Sequence, residues 1–376
     1  MPVPYRRIVI IGVGLIGGSI AAALKALPQP PEVYGVTHDG GSLEEPLSDG
    51  ALDAAAVESD PRVDGWLAPG GSDLVIIATP VCAARGWFER LQASGYDGVI
   101  TDVASTKGVI TQVASEVLAD GTRYLPGHPM AGSEVSGFTA ARADLFQGAY
   151  WILCPDDDTR DDVFLGLHET FSALGARIIS VGREQHDSAV AIVSHVPHIM
   201  ASAIVQLTGR HAGQRKEILR LAAGGFKDTT RIAAGSPELW CGIALDNRDA
   251  VAEGLAELEG IIASFEQAIR DEDAATLTEL LAESAALRRS LPAAWIPDSA
   301  KLTEVRIPMR DHTGIIAEVT GIAGHAGCNI QSIDIDHINE STAVLELILT
   351  DEGDMGRLGA GLINAGYDFS FRGLGE

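Results

Sequence analysis

Ile8-Val9-Ile10-Ile11-Gly12-Val13-Gly14-Leu15-Ile16-Gly17 decides how the first half of this chain is read. Four branched aliphatic residues in a row suit a buried strand, and the Gly-x-Gly-x-x-Gly pattern suits a turn that opens a helix. Gly12 permits the tight turn, Gly14 lets a pyrophosphate approach the backbone, and Gly17 lets helix and strand pack closely. The helix N-terminus then offers free N–H groups and the positive end of its dipole to phosphates. The spacing therefore predicts a dinucleotide site with Leu15 and Ile16 inside its loop. An acid about 20 residues past the glycines would bind the ribose hydroxyls of NAD. Thr37 stands there instead, with Asp39 close by and no arginine to hold a 2′-phosphate, which favours NAD and leaves NADP open.

Outward from that stretch the pattern repeats. Val33–Val36, Leu74–Ala78 and Val99–Val103 are short apolar runs, each followed by small or polar residues and a helix-compatible stretch. Apolar strands alternating with helices predict a parallel sheet covered on both faces, an α/β Rossmann domain. Its cofactor site would take in Gly12, Gly14, Leu15, Ile16, Gly17, Thr37, Ala78 and Thr79, at the C-terminal ends of strands. Tyr150–Cys154 and Arg177–Val181 are further strands, expected to extend the same sheet. From about Arg183 to Leu291 the strand signal stops, and Ala, Leu, Glu and Ile recur at helical spacing, which predicts an all-α domain. Within it Asp187–Val205 is apolar almost all round, suiting a buried helix or one at a subunit interface, kinked at Pro197. The proline-flanked stretch Leu291–Asp298 reads as a linker. Beyond it, strands at Val305–Met309, Asn329–Ile335, Ala343–Leu349 and Tyr367–Phe371, with two helices between, spell βαββαβ, a ferredoxin-like unit. Domains are expected at 1–182, 183–291 and 301–376, with the linker at 292–300.

Length and composition agree with this division. A chain of 376 residues suits two or three domains, and 46% hydrophobic with 21% charged residues excludes wholesale disorder. Lys plus Arg is 27 and Asp plus Glu is 52, a net charge of 27 − 52 = −25. So acidic a chain repels phosphate backbones, which argues against nucleic acid and anionic membrane surfaces as partners. Cys82, Cys154, Cys241 and Cys328 lie far apart with no CxxC pair, which fits a reducing compartment and no zinc module. The N-terminal apolar run is broken at Gly12, too early for a signal peptide, and no uninterrupted apolar run reaches about 18 residues. A soluble, cytoplasmic protein is expected.

Four polar stretches sit where a buried strand or helix end does not need them. They are Asp102-Val103-Ala104-Ser105-Thr106-Lys107; Gly127-His128-Pro129-Met130-Ala131-Gly132-Ser133-Glu134; Ser194-His195-Val196-Pro197-His198; and Gly224-Gly225-Phe226-Lys227-Asp228-Thr229-Thr230-Arg231. Together they resemble the prephenate dehydrogenases, which make 4-hydroxyphenylpyruvate on the route to tyrosine. The second and fourth stretches are far more specific than the glycine loop. The resemblance covers the whole chain, including a C-terminal ACT domain, a regulatory module that binds small molecules. It implies NAD-dependent oxidative decarboxylation of prephenate by a homodimer, with L-tyrosine as an effector.

The resemblance also implies residue roles. His128 matches the histidine that hydrogen-bonds the C4 hydroxyl of the substrate, and an imidazole suits a base at neutral pH. Ser105 matches the serine that touches that histidine and the nicotinamide region. Arg231 matches the arginine that binds a substrate carboxylate, and His198 a second histidine on the substrate side. Ser133, Glu134, Asp228 and Trp240 match residues that line or gate the pocket, with the tryptophan a candidate for supply by the partner subunit. In the C-terminal unit Asp311, His312 and Gly314, and then Asn329 and Ile330, resemble the two ligand-contacting turns of ACT domains.

Plainer readings stand beside these. A lone histidine after a strand is more often structural, and it is the surrounding motif that turns His128 towards function. His195 and His198 share a helix face, but no third ligand stands at a fixed spacing, so no metal is expected and His195 reads as structural. Lys107 and Lys227 supply positive field or orient loops, and Asp156–Asp158 with Asp161–Asp162 read as a solvated loop. The C-terminal unit could serve only to dimerise. Arogenate is the alternative substrate, and a non-catalytic amino-acid sensor is the alternative class. A β-hydroxyacid dehydrogenase would need a lysine on the first long helix of the second domain, and Asp187–Val205 has none.

Overall fold

Among the described residues, nine short strands and the helices between them make up the first half of the chain. In order these are β1 (Arg7–Ile11), α1 (Leu15–Lys25), β2 (Glu32–Thr37), α2 (Glu44–Ser48), β3 (Ala54–Val57), α3 (Pro61–Trp66), β4 (Leu74–Ile77) and α4 (Val81–Ser94). Then come β5 (Val99–Asp102), α5 (Gly108–Val117), β6 (Tyr124–Leu125), β7 (Gly127–Pro129), β8 (Tyr150–Leu153), α6 (Asp161–Ala173) and β9 (Arg177–Ser180). The computed structural model describes residues 3–38, 43–133, 137–212, 217–290, 303–310, 314–339, 342–350 and 353–373. The chain divides into two compact units, 1–262 and 263–376.

The first six strands form one parallel sheet in the order β3-β2-β1-β4-β5-β6, the doubly wound arrangement. Both faces are buried, and the period of two along each strand explains why the runs are apolar throughout. Ile8, Ile10, Leu74 and Ile76 pack into one core with Ile20 and Leu24 of α1. Val9, Ile11, Val75 and Ile77 pack into the other with Phe88 and Leu91 of α4 and Ile110 of α5. Strand order reverses between β1 and β4, which opens a crevice at the C-terminal ends of those strands.

Two sequence expectations are corrected here. β8 and β9 do not extend this sheet; with β7 they form a separate three-stranded one, in the order β7-β8-β9. β6 is only two residues long, and Pro126 after it has no N–H to continue the ladder. Its carbonyl instead accepts from Cys154 N at 2.9 Å, so the chain passes into the second sheet. Trp151 and Leu153 of that sheet share the core of Ile8 and Ile10, and Trp151 stacks on Phe171 with ring centroids 3.7 Å apart. The second concerns Asp187–Val205, expected as a buried or interface helix kinked at Pro197: its break comes a little earlier, at Ala191–His195.

That segment belongs to α7 (Arg183–Val190), a π-helical turn at Ala191–His195 and α8 (Val196–Ala212). The widened turn lies just before Pro197, whose missing N–H and bulky ring a regular helix would not accommodate. Arg183–His211 is long and apolar enough to cross a membrane by length and composition, and only 33% of its apolar window is buried within the chain. Ile192, Val193 and Leu207 stand more than half exposed. The helices continue with α9 (Glu217–Arg220), α10 (Gly224–Thr230), a 3₁₀ turn at Arg231–Ala234, α11 (Pro237–Asp246), α12 (Arg248–Arg270) and α13 (Ala274–Ser290).

The C-terminal unit carries β10 (Thr303–Arg310), α14 (Ile315–His325), β11 (Ile330–Asn339), β12 (Thr342–Leu349), α15 (Met355–Asn364) and β13 (Ser370–Gly373). Its antiparallel sheet runs β11-β12-β10-β13, the ferredoxin-like order, with Val305, Ile307, Val319, Leu345, Leu347 and Leu358 in its core. The expected linker at 292–300, and Asp311 and His312, lie outside the described residues.

Candidate active site

The glycine loop joins β1 to α1 at the crevice. Gly12 has φ +100°, and a Cβ there would lie 2.6 Å from the Ala78 carbonyl oxygen; at Gly17 it would lie 2.0 Å from the Gly12 carbonyl oxygen. Both positions exclude side chains because backbone must pass close by. A Cβ on Gly14 would meet nothing within 4 Å, so the space above the helix N-terminus is open. Beside the loop, the buried Thr79 hydroxyl has no hydrogen-bond partner. Open space above free N–H groups, with an unsatisfied hydroxyl nearby, fits a dinucleotide pyrophosphate. Thr37 ends β2 and is buried.

Next to the loop lies an open cavity of about 440 Å³. Leu15 and Ile16 form one wall, Ser105, His128 and Ser133 the next, and His198, Arg231 and Trp240 the side supplied by the helices. Of the substrate-side residues expected from the sequence, these six therefore share one space. Asp228 does not join them: it is exposed on α10 and does not line the cavity. Glu134 lies outside the described residues.

His128 reaches this cavity because of what lies behind it. Gly127 can come close to β5 only without a side chain, since a Cβ there would sit 2.9 Å from the Asp102 carbonyl oxygen. Lys107 and Asp102 are wholly buried and ion-paired. Lys107 Nζ also donates to the Gly127 carbonyl at 2.7 Å, while the Tyr124 hydroxyl and the Ala104 N–H donate to Asp102. This buried network ties the end of β5 to the backbone just before His128. Lys107 is thus a clamp behind the site rather than a charge within it, and Lys227 is exposed.

On its other side, Nδ1 of His128 lies 2.8 Å from Nε2 of His186, and Nδ1 of His186 lies 2.7 Å from Oδ1 of Asp187. The Asp187 carboxylate also accepts from the backbone N–H groups of Lys107 and Gly108, each at 2.8 Å. With Nδ1 engaged, Nε2 is the nitrogen His128 has left for the cavity. Burial, and then the charge of Lys107, hold the His128 pKa well below its usual value. The ring is neutral at physiological pH and ready to accept a proton.

His195, which reads as structural from the sequence, also lines the cavity. Asn247 Nδ2 lies 3.3 Å from its Nδ1 and donates to the Asp187 carbonyl at 2.7 Å. Burial pushes its pKa down to about 4. His198 is stacked on Trp240 of the same chain, with centroids 3.5 Å apart and planes 16° apart, and its buried Nδ1 has no partner. Trp240 therefore lines the pocket of its own chain. Sequence reasoning passed over His186 and Asp187; the signal was a His-Asp pair opening an otherwise apolar run.

In the C-terminal unit, Gly314 opens α14 with φ +96°, while Asn329, exposed, and Ile330 follow the end of that helix. An 11-residue helix rises roughly 16 Å, so the two turns lie at opposite ends of the unit.

Comparison with known proteins gives these features a context. Residues 20–180 match the family model described as prephenate dehydrogenase, nucleotide-binding domain, and residues 183–283 the model described as prephenate dehydrogenase, dimerization domain. The prephenate dehydrogenase of Bacillus subtilis is 32% identical over 93% of this chain and 94% of its own. Among solved structures, the Aquifex aeolicus prephenate dehydrogenase in complex with hydroxyphenyl propionate and NAD+ is 28% identical. It matches with a TM-score of 0.70 over 76% of this chain and 98% of its own. Arogenate dehydrogenase from Synechocystis is 27% identical and matches with a TM-score of 0.63 over 75% of this chain and 99% of its own.

Proposed function

The chain belongs to the prephenate dehydrogenase family, and from that premise we propose the roles its residues play in the NAD-dependent oxidative decarboxylation of prephenate to 4-hydroxyphenylpyruvate. The observation that carries the reading is the single cavity in which His128, His198 and Arg231 share walls with Leu15 and Ile16 of the glycine loop. Prephenate is a cyclohexadiene with a carboxylate on C1, a hydroxyl on C4 and a pyruvyl side chain. NAD, when bound, supplies the acceptor for the C4 hydride. Gly12, Gly14 and Gly17 shape its cradle, and Ala78, Thr79 and Thr37 border it. His128 takes the C4 hydroxyl proton as the carbonyl forms, and loss of the C1 carboxylate as CO2 then makes the ring aromatic. Arg231 offers a planar, doubly donating fork to a substrate carboxylate. His198, Trp240, Ser133 and Ser105 shape the remaining walls and hold the ring against the cofactor side.

The domains in this reading are 1–182, 183–291 and 301–376. Two copies pair through the helical domain, which the exposed Ile192, Val193 and Leu207 support. The enzyme works in the reducing cytoplasm. The C-terminal unit acts as an ACT domain through which L-tyrosine inhibits. Because the turns at Gly314 and Asn329 lie at opposite ends of the unit, a ligand touching both would bridge two copies. The decisive assay compares wild type with His128→Asn on prephenate and arogenate, each with NAD and NADP. Turnover of prephenate with NAD that falls about 10²–10⁴-fold in the variant supports the reading; preference for arogenate, or an undiminished variant, overturns it. Truncation near Pro297 should leave turnover and remove tyrosine inhibition. A truncated enzyme that stays equally sensitive, with inhibition purely competitive against prephenate, refutes the ACT role.

A further inference from the structure

We propose that His186 and Asp187 are positioning residues that fix the tautomer of His128, so that its cavity-facing Nε2 carries the lone pair and its Nδ1 carries the hydrogen. The proposal rests on the reading of His128 as the proton acceptor and adds how that role is imposed.

Every group that meets the Asp187 carboxylate is a donor: the N–H of Lys107 and Nδ1 of His186 on Oδ1, and the N–H of Gly108 on Oδ2. Burial alone would raise the Asp187 pKa, but the bonds from His186, Lys107 and Gly108 outweigh it and hold the carboxyl below its usual value. An ionised carboxylate only accepts, so Nδ1 of His186 must carry a hydrogen. In a neutral imidazole the other nitrogen then bears the lone pair, and Nε2 of His186 accepts from Nδ1 of His128. Neutral His128 is left with its lone pair on Nε2. When Nε2 takes the hydroxyl proton, the new cation keeps its Nδ1–H on His186, and Asp187 lies one ring further back to stabilise the charge. No proton need move along the relay.

The surroundings hold this arrangement in place. His128 and His186 meet edge to face, with centroids 5.1 Å apart and planes 74° apart, and both rings are buried. The backbone bonds to Asp187 anchor the relay to the same β5–α5 connection that carries Ser105 and Lys107. The titratable and charged groups that face His128 include Lys107 on that connection, His186 on α7, His195 on the π-helical turn, and His198 and Arg231 across the cavity. A cationic His186 would keep its bond to Asp187 but reverse the one to His128, placing the hydrogen of neutral His128 on Nε2, where it could not act as a base. The two states are distinguishable by spectroscopy.

The test uses the full-length enzyme labelled with ¹⁵N-histidine, with the His128 signals assigned by their loss in His128→Asn. At pH 8 the imidazole nitrogens of His128 should show a protonated Nδ1 and an unprotonated Nε2. His186→Leu, which removes the acceptor, should lower kcat by about 10²-fold or more while KM for prephenate changes less than about threefold. His186→Gln, which keeps an acceptor oxygen, should recover at least about tenfold of that loss. A wild-type spectrum with the hydrogen on Nε2 overturns the proposal even where His128→Asn is inactive. So does a His186→Leu enzyme with wild-type kcat. If His128→Asn itself keeps full turnover, it is the underlying assignment of the base that fails.

Discussion

Replacing Lys107 with methionine removes one charge from a fully buried pair while nearly keeping the volume. Lys107 and Asp102 both have 0% side-chain exposure. For charges in ion-pair contact at an effective dielectric constant near 20 the attraction is roughly 4–5 kcal/mol, and removing one partner of a buried pair typically costs about 3–5 kcal/mol. Asp102 would keep its bonds from Tyr124 and Ala104, which places the loss at the lower end, about 3 kcal/mol. The Gly127 carbonyl would also lose its donor, adding about 1 kcal/mol. A total near 4 kcal/mol corresponds to a fall in Tm of roughly 8–16 °C for a unit of this size class, readable by circular dichroism. The double variant Lys107→Met/Asp102→Asn no longer strands a buried charge and should regain at least about 2 kcal/mol. The same change has a catalytic signature. Lys107 is, after burial, a cause of the low His128 pKa, so its loss should move the acid limb of kcat/KM to higher pH. A double variant no more stable than Lys107→Met, together with an unmoved acid limb, would refute the reasoning.

Three further outcomes are expected. Gly14→Val fills the open space above the helix N-terminus and should abolish NAD binding by calorimetry while leaving the spectrum of the folded protein intact; normal binding would mean the loop has been misread. Arg231→Gln should mainly raise KM for prephenate, because a substrate carboxylate is present from the start, with kcat changed less than about tenfold; steady-state kinetics would show the opposite split if Arg231 acted only in the transition state. Folding stability should fall as pH drops from about 6.5 towards about 4, because in that window the unfolded chain binds protons that buried His195 and His128 do not. His195→Gln should flatten that slope in melts recorded between pH 7.5 and 4.5, and an unchanged slope would contradict the assignment.

Much of the architecture was readable in the sequence because its causes are local. Ile8–Ile11 and Leu74–Ile77 declare a strand buried on both faces through their own composition, and the glycine spacing declares the turn. The ferredoxin-like unit follows from the order of its apolar runs. Ala54–Val57 escaped notice because alanine has little strand preference, and only pairing with β2 makes it a strand. The second sheet escaped because a proline after a two-residue strand redirects the chain, and no period reveals where a redirected strand will pair. The site divides in the same way. His128, Ser105, Arg231 and His198 were legible as polar residues in stretches that local structure does not require. The partner of His128 is 58 positions away, and the N–H groups that hold Asp187 are about 80 positions away. That Trp240 stacks on His198 in its own chain, and that Asp228 stays outside the cavity lining, were equally beyond the sequence. Spacing along the chain determines which face of an element a side chain occupies. Which faces then meet is decided when apolar surfaces far apart in sequence are buried together, and only that burial brings His186, Asp187 and Lys107 behind the His128 imidazole.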